Sequence, residues 1–214
     1  MLELPVDWSR VASVLCLGAH CDDIEIGCGG TLQALYARNK ALKFRWVVWA
    51  GDDQRETETR MAAQRLLPGA SIDITVHRFR ASYLPAQWSA VKDAFETLKT
   101  SSVPDLVFSH RLQDMHQDHR VVAELTWNTF RDHPIFEYEI PKFEGDLGQP
   151  NLYVPLATDF AEHKVRVLME CYRSQHSRNW FRPELFRGLM QLRGIECNSP
   201  SGWAEAFDAR KIVV

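Results

Sequence analysis

Val14-Leu15-Cys16-Leu17-Gly18-Ala19-His20-Cys21-Asp22-Asp23-Ile24-Glu25 decides the fold: an apolar run stops abruptly in a histidine and three acids. An unbroken apolar run of this length, rather than one alternating with polar residues, reads as a strand buried on both faces of a parallel sheet. The same grammar recurs downstream, where Leu106-Val107-Phe108 leads into His110-Arg111-Leu112-Gln113-Asp114-Met115-His116-Gln117-Asp118-His119. In open α/β sheets ligands bind beyond the carboxyl ends of the strands. Both clusters sit just past such ends, so adjacent strands would bring them together.

Working outward, apolar or β-branched runs at about 13–18, 43–50, 72–78 and 105–109 alternate with helical periodicity at about 30–40, 55–67, 87–99 and 119–131. That alternation predicts βαβ units: a Rossmann-like, three-layer α/β fold with a mostly parallel sheet and helices on both faces. Gly27-Cys28-Gly29-Gly30-Thr31 reads as a tight passage from the first strand into the first helix. Beyond residue 132 further strands are expected at Ile135–Ile140 and Asn151–Val154, helices at about 158–172 and 183–193, and a short returning strand at Ala204–Phe207.

The chain has 214 residues, 45% of them hydrophobic, which suits one domain over residues 1–214 with a sizeable core. A net charge of −3 without a basic stripe argues against nucleic acid as a partner. No apolar stretch approaches the roughly 20 residues of a membrane span, and Met1-Leu2-Glu3-Leu4-Pro5 lacks the pattern of a secretory signal. A cytoplasmic location is expected, with self-association left open. Five cysteines without C-x-x-C spacing suit a reducing compartment, and Cys16, Cys171 and Cys197 read as small core residues.

Two histidines, a carboxylate ligand and a spare carboxylate are what a catalytic zinc site needs: three protein ligands, an open position for water and a base beside it. A lone histidine at a strand end is more often a hydrogen-bonded core residue, so the inference rests on the two clusters together. They predict a zinc-dependent hydrolase with one Zn²⁺ per chain.

The segment A-H-C-D-D-I-E resembles the AHPDDxE signature of the PIG-L/LmbE-like zinc N-deacetylases, and H-Q-D-H resembles their second signature, HPDH. Arg55-Glu56-Thr57-Glu58 with Ala62 and Leu66, and the later Tyr172-Arg173-Ser174-Gln175, resemble further family motifs, so the likeness spans about residues 13–175. It implies that His20, Asp23 and His119 hold zinc, and that Asp22 is the general base. It also makes His116 the cationic partner of the oxyanion and Asp118 a group that tunes His116. The implied substrate is an N-acetylated sugar or sugar conjugate.

Cys21 and Gln117 stand where the family usually has proline, which removes no ligand; Cys21 itself reads as a bystander thiol rather than a ligand. His110 either lines the pocket or is a satisfied loop histidine. Asp114 either reaches substrate, orients His116, or is a solvated acid. Arg55 and Glu58 look like a pocket pair, although on a helix start they would also complement the dipole. In the polar, aromatic stretch Ser174–Arg182, Trp180 is placed to stack on a sugar ring and Arg178 to hold an anion, unless the loop merely tucks its aromatics inward. His77, His133 and His163 read as surface residues.

Two alternatives remain: an amidase acting on a thiol conjugate or an N-acyl antibiotic, and a non-catalytic nucleotide-binding α/β domain. The second is disfavoured because neither G-x-G-x-x-G nor a Walker motif is present.

Overall fold

A computed structural model of the protein describes residues 7–213; the segment Met1–Pro5 lies outside them. Seven strands form one sheet in the order β3-β2-β1-β4-β5-β7-β6. They are β1 (Ser13–His20), β2 (Lys43–Ala50), β3 (Ser71–Val76), β4 (Leu106–His110), β5 (Ile135–Tyr138), β6 (Leu152–Pro155) and β7 (Ala204–Ala209). The first five pair in parallel, whereas β7 runs antiparallel to both β5 and β6.

Helices α1 (Asp23–Arg38), α2 (Asp53–Leu66), α3 (Trp88–Ser101), α4 (Gln117–Thr129), α5 (Thr158–Cys171) and α6 (Pro183–Glu196) cover the two faces. The alternation of β1 divides them. Val14 and Cys16 join one core with residues of α1, α2, α5 and α6, while Leu15, Leu17 and Ala19 join the other with Val91 and Phe95 of α3 and Val122 and Leu125 of α4. Burial on both sides explains why β1 reads as continuously apolar.

The first helix begins earlier than the sequence suggests, and its glycines are not a passage. Asp22 adopts φ 124° and turns the chain from β1 straight into α1, leaving Gly27, Gly29 and Gly30 inside the helix. Their purpose is close packing. A Cβ on Gly27 would lie 2.2 Å from the Tyr138 ring, and one on Gly30 would lie 2.4 Å from Leu156. The buried pair Lys164 and Glu205, 2.6 Å apart, also meets this stretch: Lys164 donates to the Ile26 carbonyl, and Glu205 accepts from the amides of Gly30 and Thr31. The last strand is also longer than expected, running to Ala209.

The strand order reverses between β1 and β4, which are paired in register from Val14–Leu106 to Cys16–Phe108. A crevice opens at such a switch point, and His20 and His110 end the two strands that flank it.

Candidate metal centre

Three side chains converge beyond the ends of β1 and β4. His119 Nε2 lies 3.3 Å from His20 Nδ1 and 3.6 Å from Asp23 Oδ1, and His20 Nδ1 lies 3.5 Å from Asp23 Oδ2. Ligands about 2.1 Å from a tetrahedral ion are separated by about 3.4 Å, and the His20–His119 and His119–Asp23 contacts are each close to that spacing. His20 closes β1, Asp23 opens α1 and His119 sits in the first turn of α4, so the sheet order itself assembles the cluster.

Each histidine is backed by a carboxylate on its other nitrogen. Asp118 Oδ2 lies 2.9 Å from His20 Nε2, and Asp114 Oδ2 lies 2.9 Å from His119 Nδ1. Such carboxylate–histidine pairs orient a ring and raise its basicity toward a metal. The two carboxylates are held differently. Asp118 accepts the backbone amides of Ser82 (2.5 Å) and Leu84 (3.0 Å), whereas Asp114 is ion-paired with the Lys142 ammonium (3.0 Å) and accepts the His116 amide (2.8 Å).

Electrostatics follow from burial among these charges. Burial opposes a charge on His20, but its hydrogen bonds to Asp118 and Asp23 outweigh that and push its pKa up to about 10. His119 goes the other way, pushed down to about 3 by burial and by His110. Burial acts to raise Asp23, yet His119 and His110 hold it well below the usual carboxylate range. Burial lifts Asp22 to about 7 against the pull of Arg55, whose guanidinium lies 3.1 Å from its carboxylate.

Several residues fall elsewhere than the sequence suggests. The Asp118 carboxylate is hydrogen-bonded to His20 rather than to His116; it acts on His116 through space, where its charge works to raise the pKa, and the Asp118 backbone amide donates to Nδ1 at 3.2 Å. That amide needs an unprotonated Nδ1, and burial together with His20 lowers the His116 pKa. Burial and His20 thus work against a charge on His116, and the amide contact favours the tautomer that carries its proton on Nε2.

His110 does not line the cleft. It is fully buried behind Asp23 (3.2 Å), accepts the Ala19 amide at Nε2 (2.9 Å) and stacks on His119. With its Nε2 lone pair so used, it is a poorer ligand than His20. Asp114 is 3% exposed and fixes the His119 ring and the His116 amide, and so neither faces substrate nor orients the His116 side chain.

Arg55 and Glu58 meet through Ser174: Arg55 Nη1 donates to its hydroxyl at 3.2 Å, and Glu58 accepts from its amide (2.9 Å) and hydroxyl (2.5 Å). Cys21 is buried against the Ala50 carbonyl, and burial pushes its thiol up to about 12, which suits a bystander. Cys197 is only half-buried. His77, His133 and His163 are half-buried rather than fully exposed, His77 stacking on Trp49.

The cluster opens into a cleft of about 760 Å³ whose walls include Arg55, Phe79, His116, Lys142, Arg178 and Trp180. Lys142 and Ser82, neither singled out by the sequence, are structural parts of this site. Lys142 lies on a distant loop, and Ser82 acts through its backbone, which leaves no signature in residue type.

Fold and cluster together define a doubly wound α/β protein with a metal-competent His/Asp centre at its switch point. A family model described as PIG-L, GlcNAc-PI de-N-acetylase, matches residues 15–130, and the chain belongs to that family. An uncharacterized deacetylase of Escherichia coli K12, YaiS, is 33% identical over 138 residues, covering 60% of this chain and 74% of that protein.

Among solved structures, the N,N'-diacetylchitobiose deacetylase of Pyrococcus horikoshii matches with a TM-score of 0.72 at 22% identity, over 94% of this chain and 85% of that one. The 4-carboxy-2-hydroxymuconate hydratase GalB of Pseudomonas putida KT2440 matches at 0.67 and 19% identity, over 94% and 97%. The same frame therefore carries more than one reaction, and the chemistry has to be argued from the site.

Proposed function

We propose that this chain is a zinc-dependent hydrolase that removes an N-acetyl, or other N-acyl, group from an amino-sugar-containing small molecule. The observation that carries this reading is that His119 Nε2 lies 3.3 Å from His20 Nδ1 and 3.6 Å from Asp23 Oδ1, with the other Asp23 oxygen 3.5 Å from His20 Nδ1 and Asp22 on the wall of the same cleft. Membership of the PIG-L family and the deacetylase names of YaiS and the Pyrococcus protein support an N-acyl substrate.

His20, Asp23 and His119 would hold the ion. Zinc there supplies a Lewis acid for the acyl oxygen and acidifies a water to a pKa of about 7. Asp22, buried and with a pKa raised to about 7, takes the proton of the attacking water and passes it to the leaving amine. Arg55 keeps the Asp22 carboxylate oriented. His116 donates from Nε2 to the oxygen that gains charge, because the Asp118 amide fixes its tautomer. Trp180 and Phe79 give the cleft wall aromatic faces on which a sugar ring can stack.

The test is acetate release by purified protein over N-acetylated sugars, sugar nucleotides and sugar lipids, paired with metal analysis. About one zinc per chain and acetate with a free amine from one class is the expected result. A chain that binds zinc yet releases no acetate from any of them would overturn the substrate reading, and one that binds no metal would overturn the mechanism.

A further inference from the structure

The loop between β5 and β6 reaches back into the metal centre. Lys142, whose side chain is only 8% exposed, places its ammonium 3.0 Å from Asp114 Oδ1 and 2.9 Å from both oxygens of Asp146. Asp146 Oδ2 also accepts the Met115 amide at 2.6 Å, and Arg111 donates to the Asp146 carbonyl at 3.0 Å. Residues 142–146 are thereby clasped onto the segment that leads into His116 and His119. The same loop presents Phe143 and Glu144 to the cleft, Phe143 being 71% exposed.

We infer that Lys142 is a positioning residue: its ammonium locks the Asp114 carboxylate between the His119 ring and the His116 amide, and so couples the substrate-facing loop to the metal centre. This inference rests on the metal reading above. An aspartate side chain carrying three contacts has little rotational freedom. Without the ammonium, its Oδ1 keeps a single amide donor and the ring at Oδ2 gains room to swing. Removing the cation also reduces repulsion of a divalent ion, so affinity alone is a poor readout, and geometry is the better one.

The experiment loads the purified protein with Co²⁺ and records its d–d absorption, which reports coordination geometry. Amide exchange of residues 141–148 is measured with and without Zn²⁺. In the parent, a four-coordinate cobalt spectrum and zinc-induced protection of the loop are expected. In Lys142→Met the cobalt band should shift and weaken and the protection should be lost, and Lys142→Arg should restore both.

If Lys142→Met does not fold, Lys142→Gln, which keeps a donor without the charge, is read in its place and should show the same direction of change. A Lys142→Met protein with the parent's spectrum and the parent's loop protection would overturn the inference. A parent that binds neither Co²⁺ nor Zn²⁺ would instead overturn the metal reading.

Discussion

The two histidine arms of the site look alike at the proposed ligand and differ one step behind it. On the His20 arm the supporting Asp118 is held by main-chain amides of Ser82 and Leu84; on the His119 arm Asp114 is held by the Lys142 side chain and one amide. The first support is written into backbone conformation, since Ser82 adopts φ 65°, a region that side chains other than glycine's seldom occupy. The second is written into side-chain charge. Mutations should therefore act equally on the two arms at the ligands and by different routes behind them.

The largest effect is expected at the ligands, where the arms are equivalent. His20→Ala, His119→Ala and Asp23→Ala should each lose bound zinc, because three protein ligands leave no redundancy in a catalytic site. Metal analysis checks this, and full occupancy in any variant would remove that residue from the ligand set. On the proposed roles, Asp22→Ala removes a base rather than a ligand. Zinc should stay while turnover falls by about 10²–10⁴.

His116 comes next and separates two kinds of catalysis. As a neutral donor it should contribute about 10²–10³ in kcat, the usual loss for one oxyanion donor, with zinc retained in His116→Ala. The sign of the pH profile follows from the same tautomer. Activity should rise with pH as Asp22 ionises, with a midpoint at or below about 7, because a bound cation favours the carboxylate. No alkaline decline should belong to His116, whose pKa lies below the ordinary histidine value. An alkaline limb that disappears in His116→Ala would restore the cationic role and contradict the 3.2 Å amide contact to Nδ1.

Behind the ligands the comparison becomes quantitative. Asp118→Asn has one oxygen where Asp118 uses two, Oδ2 for the Ser82 amide and Oδ1 for the Leu84 amide, so it leaves one amide unpaired as well as losing its charge on His20. Asp114→Asn also leaves Lys142 facing a neutral side chain in a place where only 8% of that lysine is exposed. Both should weaken zinc binding by about 10–100-fold, as is typical when a carboxylate partner of a metal-bound histidine is lost. Asp118→Asn should cost ~1–3 kcal/mol of stability through its unpaired amide, and Asp114→Asn a similar amount through the Lys142 ammonium left facing a neutral side chain. Denaturant unfolding of the metal-free proteins measures both, and an unchanged stability in Asp114→Asn would show that Lys142 relies on Asp146 alone.

What was readable in the sequence divides along the same line. Residues that act through side-chain chemistry in a compact motif stand out: His20, Asp22 and Asp23 lie within four residues, and His116, Asp118 and His119 share one helix start. The layer order followed from strand runs buried on both faces. The start of α1 was hidden because Asp22 turns the chain with a positive φ, which no residue type announces, and glycines that serve helix packing look like turn residues. His110 was ambiguous because a strand end can face the crevice or the core, and only the stacking on His119 decides for the core. Lys142 and Ser82 were illegible for different reasons: one is brought to the site by a loop 23 residues beyond His119, the other contributes only an N–H.

The smallest expected effect is the sharpest test of that contrast. Ser82→Ala leaves the backbone amide that Asp118 accepts at 2.5 Å, and alanine is no worse suited than serine to φ 65°. Stability should change by no more than about 0.5 kcal/mol, and zinc content should stay at the parent's level. Ser82→Pro should behave oppositely, because it deletes that N–H and demands φ near −65°. With Asp118 left one donor short, His20 loses its fixed orientation and zinc binding should weaken by about tenfold or more. If Ser82→Ala weakened zinc as much as Ser82→Pro, the serine side chain would be the support, and the two arms would differ only in which side chain holds the carboxylate.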